Sequence, residues 1–372
     1  MAEPLPPSGP GTVSTVPAQP AGRAEPLPPT EAGIALAADA LARGELAAFP
    51  TETVYGLGAD AENPAAVARI YAAKGRPAGH PVIVHLAPGA DVNYWAASVP
   101  PEARRLMDAF WPGPLTLILK RAPRIADAVS GGQDSIGLRC PSHPVAQALL
   151  RAFAARKPGG HGGVAAPSAN KFGQVSPTQA AHVLAEFPDE AAAGMPVLDG
   201  GPAQVGIEST IVDLSRLGAG VGPVLLRPGH VGAAQLAEAL GRPVAAPDAA
   251  APRASGTLKA HYAPHTPLEL VSDERLHEAA QGQGLPPGRI VLVGHGGRPA
   301  ALDARVRWQP LPADPARYAH ALYALLRELD GQGYARILVQ APPADPAWDA
   351  VNDRIGRAAA AFSLDTLGLP GT

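Results

Sequence analysis

A mixed α/β domain of about 200 residues, followed by a smaller α/β unit, is the fold class this sequence predicts. Three observations lead there. From Glu31 onward, short apolar runs alternate with segments of helical periodicity. Near residue 242 that alternation gives way to a stretch rich in Pro and Ala. After residue 266 the alternation resumes.

The elements follow in order. Residues 1–30 are rich in Pro and hold a near-repeat, Ala2-Glu3-Pro4-Leu5-Pro6-Pro7 and Ala24-Glu25-Pro26-Leu27-Pro28-Pro29. They offer too little apolar surface to order themselves, so a disordered tail is expected. Residues 31–43 carry Ile34, Ala37, Ala38 and Leu41 on one side and predict a helix. Leu46–Phe49 predicts a strand ended by Pro50. Asn63 and Pro64 supply an N-cap and a first turn for a helix to about Ala73. Strands are expected at 81–86 and 115–120, with a helix at 101–110 between them. Ser142-His143-Pro144 opens a helix towards Ala154. Val164–Ala166 is a short buried strand, and Ser176-Pro177 is expected to open a helix to about Phe187. Strands at 209–214 and 224–226 complete a domain over 31–241. Residues 242–266 form a linker with one ordered-looking knot, His261-Tyr262-Ala263-Pro264. In the unit at 267–372, strands are expected at 289–293 and 336–340. The helix at 315–330 carries Tyr318, Leu322, Leu325, Leu326 and Leu329. Alternating strands and helices suggest a small parallel sheet.

Composition narrows the function. The 372 residues carry a net charge of −3, which argues against a protein whose main task is to neutralise nucleic-acid phosphates. Cys140 is the only cysteine, so an internal disulfide and a thiolate zinc site are both excluded. No signal-peptide pattern and no apolar run of about 18 residues occurs, so the cytoplasm is the expected compartment. Lysine is scarce, which makes each lysine informative.

The segments that could carry chemistry lie in turns after apolar runs, where α/β proteins place ligands. Pro50-Thr51-Glu52-Thr53-Val54-Tyr55-Gly56-Leu57-Gly58 offers hydroxyls and glycines in what reads as a turn. Its glycine spacing only superficially matches a dinucleotide fingerprint, because no helix opens directly after it. Lys74-Gly75-Arg76-Pro77, taken alone, reads first as a helix C-cap and only second as a phosphate clamp. Arg139, in the apolar run Ser135-Ile136-Gly137-Leu138-Arg139, must find an anion, for which a carboxylate would serve, or leave the core. Ala166-Pro167-Ser168-Ala169-Asn170 permits close backbone approach and offers donors. Ser176 is explained as an N-cap. Glu208-Ser209-Thr210 and Leu226-Arg227-Pro228-Gly229 complete the set. The sequence lacks a Gly-x4-Gly-Lys-Ser/Thr loop, a Gly-x-Ser-x-Gly elbow and a His-Glu-x-x-His helix. Scattered histidines, His143 and His182 among them, give no metal spacing. Cys140 reads as a buried apolar residue, although Arg139 beside it would lower a thiol pKa.

Taken together and in order, these segments, with Trp111-Pro112-Gly113-Pro114-Leu115-Thr116, resemble the YrdC/Sua5 family. The resemblance covers about residues 31–235. The His261-Tyr262-Ala263-Pro264 linker and the extra unit resemble the longer Sua5 form. The resemblance implies a YrdC-like twisted mixed sheet with flanking helices and a Rossmann-like C-terminal domain. It implies synthesis of threonylcarbamoyl-AMP and pyrophosphate from L-threonine, bicarbonate (or CO2) and ATP, with Mg²⁺ carried on the phosphates. The product would feed t6A formation at position 37 of tRNA through a downstream threonylcarbamoyl transferase complex, with at most weak tRNA contact and no membrane.

It also implies roles. Lys74, Arg76, Ser168 and Asn170 would surround the ATP phosphates. His80, Ser135, Ser176, Arg227 and Tyr262 would complete the ATP site. Thr53, His85, Arg139, Ser209 and the backbone of Ala166 would hold threonine. Ala78-Gly79-His80 departs from the Ser-x-Asn more usual in the family, and the stretch before His261 is less basic. Two other readings share the fold. A non-catalytic double-stranded RNA or tRNA binder is disfavoured by net charge. A carbamoyl-transfer enzyme of hydrogenase maturation would carry zinc-binding cysteines, and this chain has one cysteine.

Overall fold

The computed structural model describes residues 25–363. Among them, the first sheet has eight strands in the order β1-β2-β6-β3-β5-β4-β7-β8. These are Ala47–Phe49 (β1), Gly56–Asp60 (β2), Ile83–His85 (β3), Leu115–Lys120 (β4), Ser135–Arg139 (β5), Val164–Ala165 (β6), Thr210–Asp213 (β7) and Val224–Arg227 (β8). Pairs β3/β5 and β4/β7 are parallel and the others antiparallel, so the sheet is mixed. Its helices are Glu31–Ala42 (α1), Pro64–Lys74 (α2), Val92–Trp95 (α3), Pro101–Phe110 (α4), Pro144–Ala154 (α5), Ala180–Glu186 (α6), Pro188–Ala192 (α7) and Ala233–Leu240 (α8).

The second sheet is wholly parallel, in the order β11-β10-β12-β9. It comprises Leu268–Val271 (β9), Ile290–Gly294 (β10), Val306–Pro310 (β11) and Arg336–Gln340 (β12). Helices Asp273–Ala280 (α9), Pro315–Asp330 (α10) and Asp349–Ala360 (α11) accompany it. The inner strand β10 reads Ile-Val-Leu-Val-Gly and is buried throughout, as a parallel strand covered on both faces requires. One apolar cluster joins the two units: Val54, Val175 and Ile207 pack with Tyr262 of the linker and with residues of α10 and α11. No described helix is long and apolar enough to cross a membrane.

Local chemistry sets the element that matters most. The Asn63 side chain accepts from the backbone amides of Ala65 and Ala66, and Pro64 begins α2. Gly75 ends it in the left-handed conformation at φ +63°, which favours glycine. Lys74-Gly75 is therefore a genuine helix terminus, yet the Lys74 side chain turns inward and is buried.

Several expectations are corrected. Residues 56–60 form a strand and not a turn. Small residues fit here because the sheet is tight: a Cβ on Gly58 would lie 2.8 Å from Val164 Cγ1. Residues 135–139 are also a strand, enclosed by β3 and β4. The helix expected from Ser176 begins only at Ala180, so Ser176 caps nothing. Helices α3, α7, α8, α9 and α11 and strands β9 and β11 were not expected. Of the expected N-terminal tail, residues 1–24 lie outside the described residues. Leu27, within the tail, bridges Leu198 and donates its amide to Val197 O at 2.7 Å.

Candidate active site

Strand ends and the linker together enclose a narrow cavity. Thr51, Thr53–Gly56 and His85 form one side, Ala166–Ser168 another, and Arg139, Glu208, Ser209 and Arg227 the floor. Ser255, Gly256, His261 and Tyr262 of the linker cover it. The linker is held in place by backbone pairing of Ala263 N with Gly173 O at 2.9 Å and by Ser255 Oγ donating to Pro81 O at 2.9 Å. Gly256 has φ +71°, and a Cβ there would lie 1.9 Å from the Tyr262 hydroxyl. Glycine is thus demanded by both conformation and space. Tyr262 itself holds φ +62°, a strained value for a side-chain-bearing residue, and is fully buried.

Three cations line or adjoin this cavity without any carboxylate at ion-pair distance among the described residues. Lys74 Nζ donates to Ser168 O at 2.6 Å and to Asn170 O. Arg76 donates to Pro81 O at 2.7 Å and to Ser255 Oγ at 3.4 Å, and its buried Nε has no partner. Arg227 donates to Ser209 O at 2.9 and 3.0 Å and to Ser255 O at 2.8 Å. Burial pushes the pKa of all three down, and neighbouring cations add to the effect. Neutral carbonyls only partly offset the cost of burying a charge, several kcal/mol per ion. The arrangement leaves a place for an anion.

A second group lies at the other end. Arg139 donates to Glu52 Oε1 at 2.7 Å, and both are buried. Its Nε is buried without a partner. Ser209 Oγ shares a hydrogen bond with Thr116 Oγ1 at 2.8 Å, and Thr53 Oγ1 with Thr51 Oγ1 at 2.8 Å. Burial, then the nearby Arg139, lowers the His85 pKa to about 3, so the ring is neutral at pH 7. Burial pushes the Cys140 thiol up to about 11, the opposite of activation.

Residues 39–229 match the Sua5/YciO/YrdC family model, described as telomere recombination, and residues 231–360 match the threonylcarbamoyl-AMP synthase C-terminal domain. The chain belongs to the Sua5/YrdC family. The threonylcarbamoyl-AMP synthase of Bacillus subtilis is 36% identical over 335 residues, covering 88% of this chain and 92% of its own. That of Pyrococcus abyssi is 38% identical over 247 residues, 65% of this chain and 68% of its own. The crystal structure of P. abyssi Sua5 complexed with L-threonine superposes with a TM-score of 0.77 at 32% identity, covering 88% of this chain and 94% of that one. The second sheet and its helices thus fall in the Sua5 C-terminal domain.

The site residues expected from the sequence divide into three groups. Thr53, Arg76, His85, Arg139, Ala166, Ser168, Ser209, Arg227 and Tyr262 all line the one cavity. Lys74 and Asn170 stand just behind it: Lys74 grips the Ser168–Asn170 backbone, and Asn170 Nδ2 donates to Lys171 O at 2.7 Å and Gln174 O at 2.9 Å. Three residues lie elsewhere. The His80 ring lies tilted against Phe172, with ring centroids 5.4 Å apart. Ser135 lines a separate small hollow beside Ala254 and Ser255. Ser176 is buried and donates to Glu208. Glu52, Ser255 and Glu208 were missed as site residues. The signal for Glu52 was present: an acid inside an apolar, hydroxyl-rich segment needs a buried cation, and Arg139 needed an anion.

Proposed function

We propose that the chain joins L-threonine, CO2 (from bicarbonate) and ATP into threonylcarbamoyl-AMP and pyrophosphate. The observation that carries this reading is the unpaired cation cluster of Lys74, Arg76 and Arg227 beside a pocket with its own arginine. Membership in a family of threonylcarbamoyl-AMP synthases supports it.

Arg139 would take the threonine carboxylate through its partnerless Nε, while Glu52 holds Nη2. Ser209 and Thr53 would take the threonine hydroxyl. A site that hydrogen-bonds a hydroxyl rejects valine, which leaves those groups unpaired. The threonine amine attacks CO2, forming an N–C bond as one C=O π bond opens onto oxygen, and its proton passes to the hydroxide left from bicarbonate, giving a carbamate and water. A carbamate oxygen then attacks the α-phosphorus, and the bond to the β-phosphate oxygen breaks. No protein nucleophile is consumed, in keeping with the raised pKa of Cys140. The protein positions the reactants and stabilises charge on the departing pyrophosphate. Arg76 and Arg227 would meet the phosphates directly. Lys74 would fix the Ser168–Asn170 segment and add its field. Glu52 and Glu208 already face Arg139 and Arg354, so Mg²⁺ would be held by phosphate oxygens. The product would pass to the enzymes that modify tRNA.

Pyrophosphate release measured with each substrate omitted in turn tests this. Release should require threonine, bicarbonate and ATP together. Release that ignores threonine or bicarbonate defeats the reading.

A further inference from the structure

The C-terminal domain reaches the cavity floor through side chains of α10 and α11. Arg354 of α11 is wholly buried. Its Nε donates to Glu208 Oε2 at 2.7 Å, its Nη2 to Glu208 O at 3.3 Å, and its Nη1 to Asp353. Tyr323 of α10 donates to the same Oε2 at 3.0 Å, and Ser176 donates to Oε1. One turn on, Arg357 pairs with Asp353 at 2.7 Å and donates to linker carbonyls, Thr257 O at 2.9 Å among them. Two acids and two arginines therefore balance here.

Glu208 precedes Ser209, whose carbonyl carries Arg227. Glu208 and Arg227 both line the cavity, and Arg227 is bound to the carbonyl of the very next residue, so the two groups face one another across its floor. With Arg354 in place, Glu208 has a full countercharge and Arg227 is spared for the cavity. Without it, a buried carboxylate stands beside an arginine that has no acid of its own. Such a pair closes, because an uncompensated buried charge costs several kcal/mol. Arg227 would then leave Ser255 O and turn its charge from the cavity space onto Glu208.

We propose that Arg354 is a positioning residue: by holding Glu208 from the C-terminal domain, it keeps Arg227 available to the anionic phosphates of the nucleotide. This rests on the reading of Arg227 as a phosphate ligand. The C-terminal domain becomes part of the nucleotide site without touching the nucleotide. The linker and the floor are tied to the same helix turn, so domain docking and site closure are one event.

The test uses the full chain and steady-state kinetics in ATP and in threonine. Arg354→Met should raise the ATP KM about tenfold or more, with the threonine KM within about twofold of wild type. Adding Glu208→Gln should bring the ATP KM back to within about threefold, because a neutral amide does not draw Arg227. A merely structural role predicts no such rescue. Arg227→Gln is the control and should raise the ATP KM at least as much as Arg354→Met. If Arg227→Gln leaves the ATP KM unchanged, the phosphate reading itself fails. If Arg227→Gln raises it but Arg354→Met does not, or if the double variant is not rescued, the positioning role alone is overturned. Should Arg354→Met not fold, Arg354→Lys is read in the same way: a raised ATP KM relieved by Glu208→Gln supports the role, and an unchanged one overturns it.

Discussion

Arg227 and Arg354 are both buried arginines near Glu208, and their pKa values move in opposite directions. Burial drives Arg227 down, because its partners are chiefly carbonyls. Burial acts on Arg354 too, but Tyr262 and Glu208 outweigh it, and its pKa rises. The domain interface is thus electrostatically complete, with Glu208 and Asp353 against Arg354 and Arg357. The cavity is incomplete, with Lys74, Arg76 and Arg227 lacking any carboxylate at ion-pair distance among the described residues. Completed charge clusters hold a fold together; an uncompensated one stores a cost that a ligand removes. The difference teaches where the substrate's charge belongs.

The strongest way to break the comparison is to remove a cavity cation. Arg76→Ala should abolish detectable adenylate formation, while the melting temperature of the free protein is maintained or rises, since a buried unpaired charge has gone. Lys74→Ala should also abolish the reaction. It should lower the melting temperature by a few degrees as well, because the Ser168 and Asn170 carbonyls lose their donor. Wild-type turnover in Arg76→Ala would refute the clamp.

The next largest effect lies at the threonine end. Arg139→Ala should raise the threonine KM about a hundredfold, consistent with a lost charged hydrogen-bond pair, with a much smaller change for ATP. An unaltered threonine KM counts against the carboxylate contact. Tyr262→Ala should weaken ATP retention by about tenfold, since the ring fills the cover of the cavity and packs 5.7 Å from Tyr323. Equal ATP affinity would show that the linker does not cover the nucleotide.

The smallest effects sharpen the contrast by their absence. His85 and His261 both have pKa values lowered to about 3, first by burial. Each is neutral above that value and charges only below it. A pH–rate profile should therefore show no histidine step between about pH 5 and 8 from these rings. Cys140→Ala should leave turnover within about twofold, and alkylation of wild type should be slow at pH 7. A profile with a step near pH 6.5 that disappears in a His85 variant contradicts the burial argument.

Much of this site was legible in the sequence because its parts are local. Asn63-Pro64 and Gly75 announce the two ends of α2, and that fixes where Lys74 and Arg76 emerge. Apolar runs ending in Pro, Gly or hydroxyl residues mark the loops that converge. What stayed hidden depends on distant pairing. Gly56 and Gly58 look like turn residues, yet they lie in a strand because β1 and β6 close around them. Ser176 sits where an N-cap is common, but its hydroxyl faces Glu208, 32 positions along the chain. Arg354, 146 positions from Glu208, has no local signal at all. It sits on an amphipathic helix and would pass for a surface charge until the second domain is docked.

The central claim is that the cavity cations await phosphate. Calorimetric titration of pyrophosphate into the wild-type chain and into Arg76→Gln, at two salt concentrations, tests it most directly. Binding to the wild type that weakens with salt and falls at least tenfold in the variant is the predicted result. Equal affinity of the two proteins for pyrophosphate would contradict it.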